Sequence, residues 1–156
     1  MDDARRFRET MGAFATGVCV VTAVGPDGPA GLTTNAVTSL SLDPALVLVC
    51  FDNGSRTLPV VRAAGRFAVN VLAVGQEELA ERFASKALAA EKFAAVTHTV
   101  EDGVPVLDDA LAWVACDLQA LHPGGDHTIG IGAVTHMGRG TGRPLVFYGG
   151  EYHALT

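Results

Sequence analysis

Ala112-Trp113-Val114-Ala115-Cys116-Asp117-Leu118-Gln119-Ala120-Leu121, followed by His122-Pro123-Gly124-Gly125-Asp126-His127 and then Thr128-Ile129-Gly130-Ile131-Gly132-Ala133-Val134-Thr135-His136, is the stretch on which the fold class turns. Val114, Cys116 and Leu118 alternate with other residues at period two, and the glycines and the proline of the middle part interrupt any regular element. The reading is therefore two strands, over 112–121 and 128–136, joined by a turn. Working outward, residues 96–101 and 145–148 are further short runs of strand character, again separated by glycine or proline. Spacing of this kind predicts a closed antiparallel sheet, a small β-barrel rather than a helical or doubly wound fold.

Further upstream, residues 18–24 form a strand rich in β-branched side chains, closed by the turn Gly25-Pro26-Asp27-Gly28-Pro29, with a second strand starting near Ala30. Residues 45–51 are apolar on both faces and predict a central strand; residues 57–64 predict a short helix stopped by Gly65, and 67–72 another strand. Helices are expected only at the periphery. One covers 3–14, with Phe7, Met11 and Phe14 at helical spacing and Asp2 and Asp3 available as caps. Another covers 76–85, where Leu79 and Phe83 share a face and Glu77, Glu78 and Glu81 suit the N-terminal end of the helix dipole. No G-x-G-x-x-G follows the first strand, so a Rossmann nucleotide site is absent.

A chain of 156 residues, 49% hydrophobic and 18% charged, has enough apolar material for one substantial core, and no linker divides it, so 1–156 reads as one domain. The low charge also predicts apolar surface covered by a second copy, hence a homodimer. A net charge of -6, with Arg5, Arg6 and Arg8 as the only basic cluster and Asp2, Asp3 and Glu9 beside them, speaks against nucleic acid. The apolar segment 45–51 is far shorter than the roughly 20 residues of a membrane helix, and a cytoplasmic protein without a membrane partner is expected. Cys19, Cys50 and Cys116 are widely spaced within apolar runs and read as reduced core residues, so no metal site is expected.

Two polar clusters flank the apolar segment 45–51. Before it, Thr33, Thr34, Asn35, Thr38, Ser39 and Ser41 offer uncharged donors and acceptors suited to a flat, polar-edged ring. After it, Asp52-Asn53-Gly54-Ser55-Arg56-Thr57 sets a guanidinium and two hydroxyls where a phosphate can be held. Read singly, the first cluster also fits a polar rim, Arg56 a solvated helix start, and His127 a structural histidine. There is no Ser-His-Asp set, no H-E-x-x-H and no suggestive carboxylate pair.

Taken together these segments resemble the short-chain flavin reductases of two-component monooxygenases, within the FMN-binding split-barrel proteins. The resemblance is carried by Phe7-Arg8-Glu9-Thr10-Met11-Gly12-Ala13-Phe14-Ala15-Thr16-Gly17-Val18, by residues 31–44, by Ser55-Arg56-Thr57, by Phe67-Ala68-Val69-Asn70-Val71-Leu72, by Gly125-Asp126-His127 and by residues 144–152. It implies a homodimeric Greek-key split barrel, mainly β with peripheral helices, that binds FMN or FAD near the subunit interface. It also implies hydride transfer from NADH or NADPH to that flavin and delivery of reduced flavin to a flavin-dependent monooxygenase. By the same resemblance Thr33, Thr34, Asn35 and Ala36 lie along the isoalloxazine, with Val37, Thr38, Ser41 and Cys50 in the same cofactor-binding set. Phe51, Asn53, Ser55, Arg56 and Thr57 hold the ribityl chain and phosphate, and Phe83 closes over the ring. Tyr152 either borders the nicotinamide or packs on the barrel.

Hydride transfer between two cofactors asks the protein for placement rather than for a strong acid, which accounts for the missing catalytic sets. His127 opens a strand directly after a turn and is the candidate to touch the nicotinamide or assist protonation of the flavin, with Asp126 orienting it. The alternative is a split-barrel flavoprotein that keeps FMN as an electron-transfer module without turning over free flavin. FMN against FAD stays open at this level; the lack of a basic residue awaiting a 2'-phosphate tilts the nicotinamide towards NADH.

Overall fold

The computed structural model describes residues 2–156. The chain opens on α1 (Asp3–Met11), whose first turn is capped by the Asp2 carboxylate accepting from the Ala4 N–H at 3.0 Å. The helix is shorter than the predicted 3–14 because, past the Gly12 N–H bond to the Arg8 carbonyl, the Ala13 and Phe14 N–H groups turn to the Thr10 and Met11 carbonyls three residues back. None of its residues is buried, and Phe7, Met11 and Phe14 stand open. After β1 (Thr16–Gly17) come β2 (Cys19–Gly25) and β3 (Gly28–Thr34), a hairpin whose turn includes Gly28 at φ +107°, a conformation that favours glycine. The polar stretch after Gly31 is not a loop: it completes β3 and forms β4 (Val37–Leu42), with only Asn35 and Ala36 between.

β5 (Ala45–Asp52), α2 (Thr57–Ala64), β6 (Arg66–Val71) and α3 (Glu77–Ala84) follow the predicted pattern, α2 ending on Gly65 at φ +68°. Sequence periodicity does not reveal α4 (Ala89–Phe93), β8 (Val104–Leu107) after β7 (His98–Glu101), or the terminal strand β12, all too short to show a period. β9 (Ala112–Gly124) and β10 (His127–Arg139) are the long hairpin expected from the opening stretch, and β11 (Leu145–Tyr148) pairs with β12 (Glu151–Ala154) and with β1.

The main sheet runs β3-β2-β6-β9-β10-β5-β4 with every neighbour antiparallel. The closed ladder predicted from sequence is not formed: β3 and β4 are its two hydrogen-bonding edges. The two-residue link explains this. Ala36 accepts from the Cys50 N–H at 2.9 Å, which draws the chain straight from the β2 side of the sheet onto β5 instead of folding β4 back on β3. The sheet nevertheless curls, since Leu32 of β3 and Val37 of β4 pack on one buried cluster with Val21, Val49, Phe51, Phe67, Val69 and Cys116, under Leu58 and Val61 of α2.

β2 is buried on both faces. Cys19, Val21 and Ala23 enter that cluster, while Val18 and Val20 join a second one with Leu72, Ala80, Phe83, Phe93, Leu107 and Leu145. Between them Asn70 is buried and satisfied, donating to the Val20 carbonyl and the Thr22 hydroxyl and accepting from the Leu107 N–H at 2.9 Å. The second cluster fastens α3 and α4 against β2, and both helices also touch β3, which builds one wall of a cleft.

Candidate functional site

The cleft has a volume of about 560 Å³, within the roughly 300–1,000 Å³ of small-molecule sites. One wall is Leu32 and Thr33 of β3, the second runs from Asp52 through Gly54, Ser55 and Arg56, and the third is Phe83 of α3, residues 84–87 and Lys92 of α4. The second wall is an Asx-type turn. Asp52 Oδ1 accepts from the Gly54 N–H at 2.8 Å, the Ser55 N–H donates to the Asp52 carbonyl, and Ser55 Oγ accepts from the Leu58 N–H at 3.2 Å to start α2. Arg56 is exposed, and its side chain makes no hydrogen bond among the described residues, which leaves it available to a ligand.

Lys92 was not singled out in the sequence, and the structure makes it the most unusual side chain of the site. It is 7% exposed, and its Nζ donates to the Gly31 carbonyl at 3.1 Å and the Phe83 carbonyl at 3.0 Å, strapping α4 to β3 and to the end of α3. No carboxylate pairs with it among the described residues. Burial, and then the Arg56 guanidinium nearby, push its ammonium below the usual lysine range. Arg56, Lys86 and Lys92 thus set three cations against the single carboxylate of Asp52 in a chain of net charge -6. With the Ser55 hydroxyl beside them, which accepts from the Leu58 N–H and keeps its own proton, this donor set fits an anionic phosphate.

Beside this cleft lies the turn between β9 and β10. His127 pairs in register with Asp52, so the turn abuts the second wall. Asn53 stitches the two together: its N–H donates to the Asp126 carbonyl at 3.0 Å, its amide to the Gly125 carbonyl, and its Oδ1 accepts from Thr128. His127 Nδ1 lies 2.7 Å from Asp126 Oδ1, and the bond from the imidazole holds the Asp126 carboxyl below its ordinary value. An ionised carboxylate only accepts, so Nδ1 carries a proton and Nε2 is the nitrogen left for a ligand.

Among the residues singled out from sequence, Thr33, Ser55, Arg56 and Phe83 line the cleft. Thr33 spends its hydroxyl proton on the Ala80 carbonyl at 2.6 Å, tying β3 to α3, so towards a ligand it acts as an acceptor. Thr34, Asn35 and Ala36 form the corner between β3 and β4, where Thr34 Oγ1 accepts from the Ala36 N–H and keeps its own proton to donate. Val37, Thr38 and Ser41 continue along β4 and do not line the cleft; Thr38 donates to the Ser39 carbonyl, and the ladder slips a register between Ser39 and Ser41. Cys50 lies opposite this corner, bonded through its N–H to Ala36.

Two of the residues expected to hold the ligand have buried side chains. Phe51 is fully buried, edge-on to Phe67 at 5.9 Å, because its position on β5 faces the core; Thr57 is 2% exposed at the buried start of α2. Phe83 borders the cleft but is itself fully buried, held edge-on by Phe93 at 5.0 Å, so it is a wall rather than a moving cover. Tyr152 packs on Phe147 in the second cluster, the packing alternative of the two. Residues 84–87 and Lys92 carried no motif; Ser85 is the last residue of the helix expected over 76–85 and Lys86 the first beyond it.

The flavin reductase like domain matches residues 11–156. The reductase subunit HsaB of a flavin-dependent monooxygenase from Mycobacterium tuberculosis is 40% identical over 157 residues, covering 98% of this chain and 83% of that protein. An NADH-dependent flavin reductase from Rhodococcus is 38% identical, covering 95% of this chain and 84% of that one. Among solved structures, the NADH:FAD oxidoreductase SgcE6 of Streptomyces globisporus, in complex with NAD and FAD fragments, superposes with a TM-score of 0.93 at 36% identity, over 99% of this chain and 93% of that one. The chain belongs to the flavin reductase like family.

Proposed function

We propose that this member of the flavin reductase like family is an NAD(P)H:flavin oxidoreductase, which moves hydride from NADH, or NADPH, to FMN or FAD and supplies the reduced flavin to a partner monooxygenase. The observation that carries the reading is the cleft in which Arg56, Lys86 and the carboxylate-free Lys92 converge beside the Asp126–His127 turn. The flavin, when bound, supplies the electron-accepting ring. The protein's part is to hold it: Arg56, Lys86 and Ser55 by the phosphate, the Thr34–Ala36 corner by the polar edge of the ring, and Phe83 as an apolar wall. His127, oriented by Asp126, then faces the nicotinamide and keeps a proton on Nδ1 while Nε2 meets the ligand.

The finer parts of the reading rest on the same residues. A split barrel, one domain over 1–156, is supported by the curled but unclosed sheet around a shared core. A homodimer is supported by apolar surface that one copy leaves open: Phe7 and Phe14 are 67% and 68% exposed, and Leu42 of β4 is 97% exposed. No helix among the described residues is long and apolar enough to cross a membrane, which accords with a cytoplasmic site of action. Retention of FMN without turnover, the alternative reading, finds no support in relatives that are named as reductases.

Purified protein mixed with NADH and free FMN should consume NADH, followed by its near-ultraviolet absorbance, at a rate that depends on FMN. Failure of both nicotinamides with both flavins overturns the assignment; a yellow protein that reduces its own flavin once but not added flavin returns the retaining alternative.

A further inference from the structure

The sequence singles out Arg56 as the phosphate-binding cation, yet the structure buries a second one behind it. We propose that Lys92 couples phosphate binding to protonation: the cleft prefers a phosphorylated flavin more strongly while the Lys92 ammonium is charged, and the bound phosphate holds the proton there. The proposal rests on the reading of this cleft as the flavin site and concerns how that site tells FMN from riboflavin.

Three observations carry it. First, Lys92 has three N–H donors when charged and two protein acceptors, the Gly31 and Phe83 carbonyls, so one donor has no protein partner among the described residues. Second, the charges facing it do not balance it. Arg56 enters from the loop after β5 and Lys86 from the loop after α3, while Asp52, the one carboxylate on the lining, is turned to the Gly54 N–H. On the packed helices Glu81 and Glu91 are exposed and make no ion pair with Lys92, and Arg82 donates to the Ala94 carbonyl. The Phe83 carbonyl, in the last turn of α3, brings only the partial negative charge of a helix end. Third, the two straps do not require the charge. A neutral amine still has two N–H groups, enough for Gly31 and Phe83, so deprotonation removes the cation and leaves the wall standing.

The sign of the linkage follows. Without ligand, burial and Arg56 disfavour the charged form; a phosphate between the two cations reverses the repulsion and raises the ammonium's pKa. In the window between the free and the bound value, binding takes up a proton and affinity falls as pH rises. A phosphate monoester has passed its second ionisation near about pH 6, so the ligand's own phosphate does not produce the slope. Riboflavin has no phosphate, and the ring it shares with FMN cancels in the ratio of the two affinities.

The test measures dissociation constants of the intact protein for FMN and riboflavin by flavin fluorescence from about pH 7.5 to about pH 10, around and below the ordinary lysine value. Calorimetry in two buffers of different ionisation enthalpy measures the protons taken up. The expected result is an FMN-to-riboflavin preference that shrinks about tenfold or more across the window, about one unit in the logarithm for one proton, with uptake for FMN and none for riboflavin. Lys92→Arg should keep the preference and flatten its pH dependence. Lys92→Met should reduce the preference at neutral pH, leaving the part that Arg56 and Lys86 supply, and flatten its pH dependence. Parallel pH profiles for the two ligands, or FMN binding without proton uptake, overturn the proposal and need no variant to fold. If neither flavin binds at any pH, the cleft assignment itself fails and the proposal falls with it.

Discussion

Arg56→Ala separates a phosphate ligand from a helix-start residue. The guanidinium is exposed and makes no hydrogen bond among the described residues, and α2 is started by Ser55 Oγ rather than by Arg56, so truncation should change stability by no more than about 0.5 kcal/mol. At about 2–4 °C per kcal/mol for a chain of this size, the melting temperature should stay within about 2 °C. A charge-assisted bond to phosphate is worth about 1.5–3 kcal/mol, and the exposure of Arg56 selects the lower end, about tenfold in FMN affinity. One term works the other way: removing Arg56 removes its repulsion on Lys92, whose ammonium is then better populated. The net loss should therefore be largest near neutral pH and smaller in the alkaline range, where the relieved Lys92 recovers part of it. Titration of FMN and riboflavin by fluorescence, with a thermal melt of each variant, checks all of this. Equal losses for both flavins, or a melting temperature lowered by more than about 5 °C, would refute the reasoning.

His127→Ala should slow single-turnover hydride transfer while FMN affinity stays within about twofold, since its Nε2 faces outward from the Asp126 bond; an unchanged rate makes the histidine structural. Asn70→Ala strands the buried Leu107 N–H and should destabilise by about 1–3 kcal/mol, read from denaturant unfolding. The Asp102 carboxyl is held below its ordinary value by the Thr135 hydroxyl first and then by Arg66 and His136, so its contribution to stability is present above about pH 3.9 and lost as pH falls through the lowered value. The melting-temperature gap between wild type and Asp102→Asn should accordingly be widest at neutral pH and close in acid. Cys19 and Cys116, buried and pushed up to about 12, should resist alkylation in the native protein; rapid modification at neutral pH contradicts their placement in the core.

Much of this protein is legible in the local chemistry of its chain. The period-two runs of β9 and β10, the glycine that stops α2 and the carboxylates of α3 each express an interaction within a few residues of itself. The Asx turn of Asp52 to Ser55 is of the same kind, and so Arg56 could be picked out. The inward turn of the Phe51 and Thr57 side chains could not be read there, because proximity to Arg56 in the chain says nothing of which way a strand or a first helical turn faces.

Residue order by itself decided the antiparallel class, the apolar strands and the polar segments between them, because pleat and turn preferences act between near neighbours. Only the folded chain decided that the sheet curls without closing, that α4 brings Lys92 to the carbonyls of Gly31 and Phe83, and that three cations meet across one cleft. Those arrangements depend on contacts across 9 and 61 positions for Lys92 and 72 for Asn53, and on burial that takes a lysine out of water. Such separations carry no periodic signature, since the free energy that selects them comes from packing the whole core at once.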